Sequence, residues 1–427
     1  MKEVQDVVTR EISEGVLLHK QQFMREKNSE LIYVFKVEVK TLQVLEFTAD
    51  FTGSENLILE DHEDLVSVTT IQPLTTEVIA VLRLFKNWKL KSKFKFTMHS
   101  PPIETQKKHL QKYFEAIEKE IPIAMEKLKQ IPIDIIAIHE LEAQLEKNSL
   151  RFVDLDFLPN EESLYGLQES PFETLIQWRR PEEFIDLSAE SHGLTLYNPA
   201  IEVNDIREGI LGDGWFISAI ATLAEVPPLI DRLFLTKEIS KNGVYRVKLC
   251  KNGEWVVVTI DDYFPCFPNG GPIFGKSSAN ELWLMVLEKA YAKVHGSYLT
   301  LKGGYAHEAL IDLTGCPCTY YNLEDEFVKD MIKSGAFWAK LKEADEKGYL
   351  LSASTPGEQR WEDSPTGDSE ENTLLEGHSY TISSLAEVKG YKLLKIRNLW
   401  GNFEWYVVEI SVGLEIGVVI VLYGHQV

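Results

Sequence analysis

The sequence predicts an α+β protein with more than one domain. At 427 residues the chain is longer than one hydrophobic core normally supports, so two or three domains are expected. A hydrophobic content of 44% and an aromatic content of 11% are typical of a globular protein. Strand-like alternation dominates the first hundred residues, charged amphipathic stretches follow, and a Gly- and aromatic-rich region with both helix and strand patterns completes the chain.

The N-terminal region is predicted to be a small antiparallel β-sandwich, an accessory domain over residues 1–100. Residues 31–39 and 91–98 are rich in β-branched and aromatic residues and alternate between apolar and polar, which is typical of strands with one buried face. A turn signal at 51–56 lies between two such runs. Residues 1–28, in contrast, are polar and helix-permissive, without strong caps.

A helical linker is predicted over residues 101–150, after two prolines. Apolar residues recur at three- and four-residue steps between 104 and 130, which favours an amphipathic helix. A second, charged helix is predicted at about 134–147. These helices carry no recognisable chemistry, so packing and partner binding both remain open as their role.

The remainder of the chain has the irregular texture of a loop-rich functional domain. Apolar runs predict helices at 214–226 and 281–295, and a hairpin is predicted at 243–260 with its turn at Asn252-Gly253. Beyond about residue 321 we predict strands that flank an acidic loop at 360–372.

Charge and cysteine usage restrict the classes of partner and the location. A net charge of −22 argues against nucleic acid or an anionic membrane as the main partner. The same charge is compatible with cation binding, although most acidic surfaces only keep a protein in solution. Four scattered cysteines do not form a disulfide scaffold, the N-terminus has no secretory signal, and the apolar run at 416–423 is too short to span a bilayer. An intracellular, cytoplasmic protein without a membrane span is expected.

Three short motifs carry the functional signal. Catalysis of the papain type needs a thiolate at a helix N-terminus, a histidine that moves the proton and an asparagine that orients the histidine ring. A helix start, a histidine and an asparagine occur in that order in Gly209-Ile210-Leu211-Gly212-Asp213-Gly214-Trp215-Phe216, Gly377-His378-Ser379-Tyr380 and Arg397-Asn398-Leu399-Trp400-Gly401. Each motif alone has an ordinary explanation, such as a glycine cap or a structural histidine. Their order is the stronger signal.

With these motifs, residues 151 to 405 resemble the calpain family of calcium-dependent cysteine proteases. Further matches, in chain order, are Phe152-Val153-Asp154, Asp205-Ile206-Arg207, Gly253-Glu254-Trp255, Asp261-Asp262, Glu281-Leu282-Trp283, Leu287-Glu288-Lys289-Ala290-Tyr291-Ala292-Lys293 and Gly296-Ser297-Tyr298. The resemblance implies a papain-like two-lobed protease core, with a first lobe at 151–321 and a second at 322–427 whose C-terminus is atypical or truncated. Residues 1–150 lie outside it and at most resemble accessory β-domains of some protist calpain-like proteins.

The resemblance also implies roles for single residues, and two of them are altered. Gly214 stands where the family has its nucleophilic cysteine, and Glu208 stands where a glutamine helps to form the oxyanion hole. His378 would be the general base, Asn398 its orienting partner and Trp400 the shield of their hydrogen bond. A carboxylate cannot donate to an oxyanion at neutral pH and would repel it. The substrate-groove framework is retained at Trp215, Gly303 and Gly304.

Calcium is the one cofactor that the resemblance implies. The first calcium site would use two carboxylates and two backbone carbonyls, which are provided by Asp205, Glu281, Asn198 and Ala200. Two surface acids, or a salt bridge to Arg207, are the alternative explanation. Of the second calcium site only Glu404 is matched.

Three functions are compatible with the sequence. The first is a calpain-like pseudoprotease that binds a peptide or protein partner without cutting it. The second is a calcium-dependent cysteine endopeptidase, a hydrolase active in proteolysis, of which this is a mutated or misread copy. The third is a scaffold or targeting protein that works through residues 1–150. No nucleotide-binding, zinc-protease or EF-hand motif competes with these readings.

Overall fold

The computed structural model of the chain describes residues 2–13, 15–25, 30–62, 64–133, 136–172, 174–185, 193–197, 203, 206–268, 270–277, 280–355, 357, 377–397 and 419–423. The chain forms two compact units. The first comprises Met1–Glu120, Ser170–Gln177 and Pro265–Gly271, and the second comprises Ile121–Glu169, Trp178–Phe264 and Pro272–Val427. Helices and strands are mixed along the chain, which confirms the predicted α+β class.

Eight strands of the first unit form two antiparallel sheets. They are β1 (Lys2–Ser13), β2 (Val16–Arg25), β3 (Glu30–Val39), β4 (Val44–Asp50), β5 (Glu55–Leu59), β6 (Val66–Ile71), β7 (Thr76–Lys89) and β8 (Lys93–His99). The strand orders are β1-β2-β3-β7-β5 and β6-β4-β8. Both sheets contribute to one apolar core, in which Phe35 and Phe47 are fully packed. Apolar and polar residues alternate along β8, so every second side chain faces the core. These core-facing residues are Phe94, Phe96 and Met98.

The start of the chain differs from the expectation. Residues 1–28 were predicted to be helix-permissive, but β1 and β2 occupy most of this segment and pair with each other in an antiparallel hairpin. Strand β2 also pairs along its full length with β3 and buries Val16 and Leu18 in the common core. Where local propensity is weak, pairing and burial decide the backbone conformation.

Two helices follow the sandwich strands, as predicted. Helix α1 (Ile103–Leu128) agrees closely with the predicted 104–130, and α2 (Ile138–Lys147) begins later than the predicted residue 134. Gln106 is buried near the start of α1, where its amide donates to the carbonyl of Pro101 and accepts from the backbone of Leu175. These bonds satisfy a buried side-chain amide that would otherwise be costly.

The second unit contains the elements around the three motifs. The elements from α3 up to residue 314 are α3 (Glu161–Tyr165), β9 (Gln177–Arg179), α4 (Pro181–Phe184), α5 (Gly214–Ala224), α6 (Pro227–Asp231), β10 (Val244–Lys251), β11 (Glu254–Asp261), β12 (Phe264–Cys266), α7 (Trp283–His295) and α8 (Ala306–Thr314). Of these, Gln177 of β9 and Pro265 and Cys266 of β12 are counted with the first unit. The predicted hairpin is present as β10 and β11, and the predicted apolar helices are α5 and α7. Helix α8 was not predicted, although Ala306, Ala309, Leu310 and Leu313 are spaced as one buried helical face.

The rest of the second unit is a five-stranded sheet covered by two helices. Its elements are β13 (Cys318–Asn322), α9 (Glu326–Lys333), α10 (Ala336–Glu346), β14 (Leu350–Ser354), β15 (Ser379–Val388), β16 (Tyr391–Arg397) and β17 (Val419–Tyr423). The strand order is β13-β17-β14-β15-β16, so β17, from the apolar run at 416–423, is paired on both sides. The prediction of strands alone beyond residue 321 was wrong for 326–346. Val328, Phe337 and Leu341 of the two helices pack on this sheet.

Two further predictions concern the whole chain. In the part of the chain that the structure describes, no helix is both long enough and apolar enough to cross a bilayer. The predicted acidic loop at 360–372 lies outside the described residues.

Candidate functional site

The first motif forms a tightly packed turn that leads into α5. Residues 207 and 210 are hydrogen-bonded through their backbones to Lys276 and Ile273, at 2.8 and 3.1 Å. Gly209 lies between these bonds, and a Cβ atom there would lie 2.3 Å from the backbone of Phe274. Only glycine allows the two chain segments to approach this closely. The turn thereby fixes the position of residue 208 relative to the start of α5.

Gly214 is the first residue of α5, and the Glu208 side chain lies directly against it. A Cβ atom at Gly214 would be 2.8 Å from Oε1 and 2.9 Å from Oε2 of Glu208. Real Cβ atoms do not approach oxygen this closely, so any side chain at 214 requires the carboxylate to move. Gly214 is buried, and Glu208 is half-buried. Glu208 and Gly214 are therefore in direct contact. The Glu208 carboxylate occupies space that is open because residue 214 is glycine.

A second carboxyl group lies beneath this point, on the residue before Gly214. Asp213 is completely buried at the N-cap of α5, but its side chain makes no capping bond. By distance and angle, neither of its oxygens has a hydrogen-bond partner among the described residues, and the carboxyl of Glu288 on α7 interacts with it. Two carboxyl groups form a hydrogen bond only when one of them carries a proton. Burial and the mutual charge of Asp213 and Glu288 therefore favour a state in which one of the two is protonated.

Burial controls the titration of this acid pair. Loss of solvation raises the pKa of Asp213 to about 6, and burial together with the charge of Asp213 raises the pKa of Glu288 well above its usual range. The backbone N–H of Gly275 donates to Glu288 Oε1 at 2.8 Å. A Cβ atom at Gly275 would lie 2.7 Å from the same oxygen, so a glycine is required there. The sequence offered one signal of this pair, an acidic residue within the apolar helix α7.

The predicted groove residues contact each other and the start of α5. Trp215 donates from Nε1 to the carbonyl of Leu301 at 2.7 Å, and a Cβ atom at Gly304 would lie 2.4 Å from its indole ring. The backbone N–H of Gly303 donates to Gly212 at 2.9 Å, and its φ of +74° is a conformation that favours glycine. Trp215 is thus fixed by a hydrogen bond and by close packing on a glycine.

His378 lies immediately before β15 and is almost completely buried. Its backbone is held on both sides by Thr355, through bonds of 3.0 and 2.9 Å, and its ring packs edge-on against Tyr380 with centroids 4.9 Å apart. Helix α5 packs against β15 through Thr222 and Thr381, whose hydroxyl oxygens are 3.0 Å apart. The helix that starts at Gly214 and the strand that follows His378 are therefore in direct contact.

The remaining predicted site residues can be placed only in part. Asn398, Trp400, Asp205, Asn198, Ala200 and Glu404 lie outside the described residues. Glu281 is described; it is nearly buried, and its Oε2 accepts from Trp283 Nε1 at 3.0 Å. Within the described part of the chain, no cluster of three or more His, Cys, Asp or Glu side chains could hold a metal ion. The calcium site therefore stays a prediction.

Several other matched motif residues form a buried ionic network. Lys289 is fully buried and bonded to Asp261, whose Oδ2 accepts from the backbone of Asp154 at 2.7 Å. Lys293 bonds both oxygens of Asp154. Burial raises the pKa of Asp154, and Lys293 opposes this shift. Each buried charge has a partner of opposite sign, so these residues have a structural explanation and belong to the framework of the site.

The four cysteines all lie away from the start of α5, where the family resemblance would place a nucleophile. Cys250 and Cys266 are buried in strands β10 and β12, far along the chain from α5. Burial raises the pKa of the Cys318 thiol to about 12, and its sulfur donates to the carbonyl of His307. Cys316 precedes it in the same segment. None of the four lies on α5 or on the turn before it, where the helix terminus could stabilise a thiolate.

Comparison with known proteins identifies the family of this site. Residues 152–407 match the model of the calpain family cysteine proteases. Because this match covers more than half of the chain, the chain belongs to the calpain family.

Individual relatives agree with this assignment. The chain is 36% identical over 269 residues to the calpain-type cysteine proteases ADL1 of Oryza sativa subsp. japonica and DEK1 of Arabidopsis thaliana, which covers 62% of the chain and 12% of each relative. It is 31% identical over 297 residues to calpain-9 of Mus musculus, covering 64% of the chain and 39% of that protein. The chain therefore spans only a minor part of the length of these relatives.

Proposed function

We propose that this calpain-family chain is catalytically silent and binds a peptide or protein partner in a papain-like groove without cleaving it. The observation that carries the proposal is the contact between Glu208 and Gly214. A carboxylate lies against the helix start at which the family has its nucleophilic sulfur.

Both changes act against acyl transfer. Without a thiolate at position 214 no acyl-enzyme forms. An oxyanion that developed near this point would meet the negative charge of Glu208 instead of an amide donor. Loss of a single oxyanion donor alone costs ~10²–10³ in rate. The buried acid pair Asp213–Glu288 adds negative character below the site when its proton is lost.

The framework of a groove remains beside the altered centre. Trp215 and the segment Gly303-Gly304 are held to each other and to Gly212, and His378 is fixed on the strand that packs against α5. These residues suit a wall against which an extended peptide backbone lies. Asn398 and Trp400 would complete the second lobe.

Calcium is part of the proposal as a structural cation. Asp205 and Glu281 would hold it, with the carbonyls of Asn198 and Ala200, and Glu404 is the remnant of a second site. Glu281, as a nearly buried carboxylate, has the oxygen-donor chemistry that calcium prefers.

The test compares the unaltered chain with a double variant, Gly214→Cys with Glu208→Gln, on unfolded casein with and without calcium. The single variant Gly214→Cys is the matched control, because it adds the sulfur but keeps the carboxylate. We expect no cleavage by the unaltered chain and more activity in the double variant than in the single one. Calcium-dependent cleavage by the unaltered chain would overturn the proposal and favour the active endopeptidase.

A further inference from the structure

One segment of the first unit has a charge opposite to that of the chain as a whole. The chain has 66 acidic and 44 basic residues, but residues 78–103 contain no Asp or Glu. The same segment contains Arg83 and five lysines, Lys86, Lys89, Lys91, Lys93 and Lys95. It forms most of β7, the turn after it, and β8, so it connects the two sheets of the first unit. The overall charge therefore says little about what this basic segment attracts.

Strand β7 carries a large bulge just before the turn that leads to β8. Leu57 of β5 pairs with Leu84 of β7, and Glu55 pairs with Lys89, so residues 85–88 lie opposite the single residue Asn56. Asn56 and Asn87 both have φ near +60°, and the Asn56 amide donates to the carbonyl of Asn87 at 3.0 Å. Such bulges redirect side chains at sheet edges. All residues from 85 to 89 are exposed.

Two aromatic side chains are displayed on this bulge. Phe85 is 44% exposed and Trp88 is 36% exposed. The Trp88 ring is held edge-on against Tyr33 at a centroid distance of 5.5 Å, and the ammonium group of Lys20 lies 3.9 Å from the Tyr33 centroid. The bulge thus presents large apolar surface from a fixed position.

Only two of the basic side chains in this segment form ion pairs with a described carboxylate. Arg83 pairs with Glu60 at 2.6 Å, and Lys89 pairs with Glu55 at 2.9 Å. Asp50 lies opposite Lys93 across the β4–β8 pair and offsets part of its charge. Lys86, Lys91, Lys93 and Lys95 are all exposed. Among the described residues, no carboxylate forms an ion pair with any of the four.

We propose that this basic aromatic segment, residues 85–95 at the connection between the two sheets, is a docking surface for an anionic lipid bilayer. Strand β7 extends beyond its last pairing with β3 and exposes both faces, which suits contact with a plane rather than an enclosed ligand. Aromatic rings between lysines match the interface of a membrane, where rings enter the headgroup region and ammonium groups meet phosphates. The basic groups are lysines, which attract anionic headgroups as point charges and lack the planar fork of arginine that favours bidentate recognition.

The acidic remainder of the chain does not prevent this contact. At physiological ionic strength, charges farther away than a Debye length of about 8 Å are largely screened. The charges of the basic segment therefore dominate the electrostatic interaction with a surface that this segment touches. Membrane docking does not depend on the proposed loss of catalysis. It would bring the chain to a membrane whether the protease core is active or silent.

The test is co-sedimentation of the full chain with phosphatidylcholine vesicles, with and without phosphatidylserine, at low and high salt. The triple variant Lys86→Gln, Lys91→Gln, Lys93→Gln removes three of the five lysine charges of the basic segment. The control Lys107→Gln, Lys108→Gln, Lys112→Gln makes the same change in net charge on exposed positions of α1. We expect salt-sensitive binding to phosphatidylserine vesicles, weakened roughly tenfold or more in the segment variant and little in the control.

Three results would overturn the proposal. The first is no sedimentation with phosphatidylserine vesicles, and the second is an equal loss in both triple variants. The third is binding of a single-stranded oligonucleotide at a salt concentration at which vesicles do not bind, because it identifies a nucleic-acid surface. Phe85→Ser supplies an independent arm, in which vesicle binding should fall although no charge has changed.

Discussion

Gly214 has no side chain, and the side chain of Glu208 lies against the space that a larger residue would occupy there. The Glu208 carboxylate has to move if residue 214 carries a Cβ atom, since the two would be 2.8 Å apart. The sequence revealed two unusual residues, six positions apart, and the resemblance gave each a separate meaning. Their contact depends on the turn that Gly209 makes against Phe274, and no local pattern in the sequence encodes that distance.

The contact makes a thermodynamic prediction. Gly214→Ala should lower the free energy of unfolding by up to ~1 kcal/mol, because the new methyl group displaces the flexible carboxylate of Glu208. In a Glu208→Ala background the same change should be neutral or stabilising by up to ~1 kcal/mol, because alanine is a better helix former than glycine. Urea denaturation of the four proteins gives the coupling energy. Additive effects of the two changes would contradict the contact.

The acid pair below the site makes a prediction about pH. The pKa of Asp213 is raised to about 6 and that of Glu288 is also raised, so the folded state binds protons more tightly than the unfolded state. The stability that this pair contributes is present at low pH and is lost as the pH rises through the folded pKa values.

Glu288→Gln should imitate the protonated pair, because its amide can accept from Gly275 and donate to Asp213. We expect the melting temperature of the variant to fall less than that of the unaltered chain between about pH 5 and 8. Glu254→Gln, at an exposed position of β11, is the control. Parallel pH profiles for the unaltered chain and Glu288→Gln would show that the pair does not hold a proton.

At the scale of elements, local patterns predicted what local interactions decide. Helices α5 and α7 and the hairpin β10–β11 followed from apolar runs and a turn at Asn252-Gly253, and all are present. Strand β2 did not follow, because its conformation depends on pairing with two neighbours. Helices α8, α9 and α10 had visible helical spacing, and the expectation of strands beyond residue 321 obscured the last two.

The groove elements allow a prediction at adjacent glycines. Gly304→Ala should shift the Trp215 indole, because the new Cβ would lie 2.4 Å from the ring, and should destabilise the protein by ~1–3 kcal/mol. Gly303→Ala is the matched control; its φ of +74° disfavours alanine, but no atom lies within 4 Å of the new methyl group. Emission spectra of the folded variants should differ from the unaltered chain for Gly304→Ala and not for Gly303→Ala. Identical spectra for all three would contradict the packing.

At the scale of the whole molecule, the family resemblance predicts that the chain binds calcium. Isothermal titration calorimetry of the unaltered chain should show calcium binding that Asp205→Asn weakens by roughly tenfold or more, since a charged ligand is lost. Glu404→Gln should have the smaller effect, because its site has lost its other matched ligands. Unchanged binding in Asp205→Asn would remove this residue from the site.

The sequence and its family resemblance together gave the α+β class, the family and the residues to inspect. They did not give the Asp213–Glu288 pair, whose members are far apart in the chain, one at the N-cap of α5 and the other within α7. The bulge at residues 85–88 was also hidden, because its register depends on β5. Both features arise from contacts between elements, which hydrophobic periodicity does not report.

The central claim is binding without cleavage, and one sample can test both parts. A fluorescently labelled, unfolded casein fragment is mixed with the unaltered chain and calcium. Anisotropy reports binding, and mass spectrometry of the same sample after prolonged incubation reports whether the fragment is intact. The account predicts saturable binding of a fragment that stays whole. A fragment cut only when calcium is present would contradict it, as would the absence of any binding.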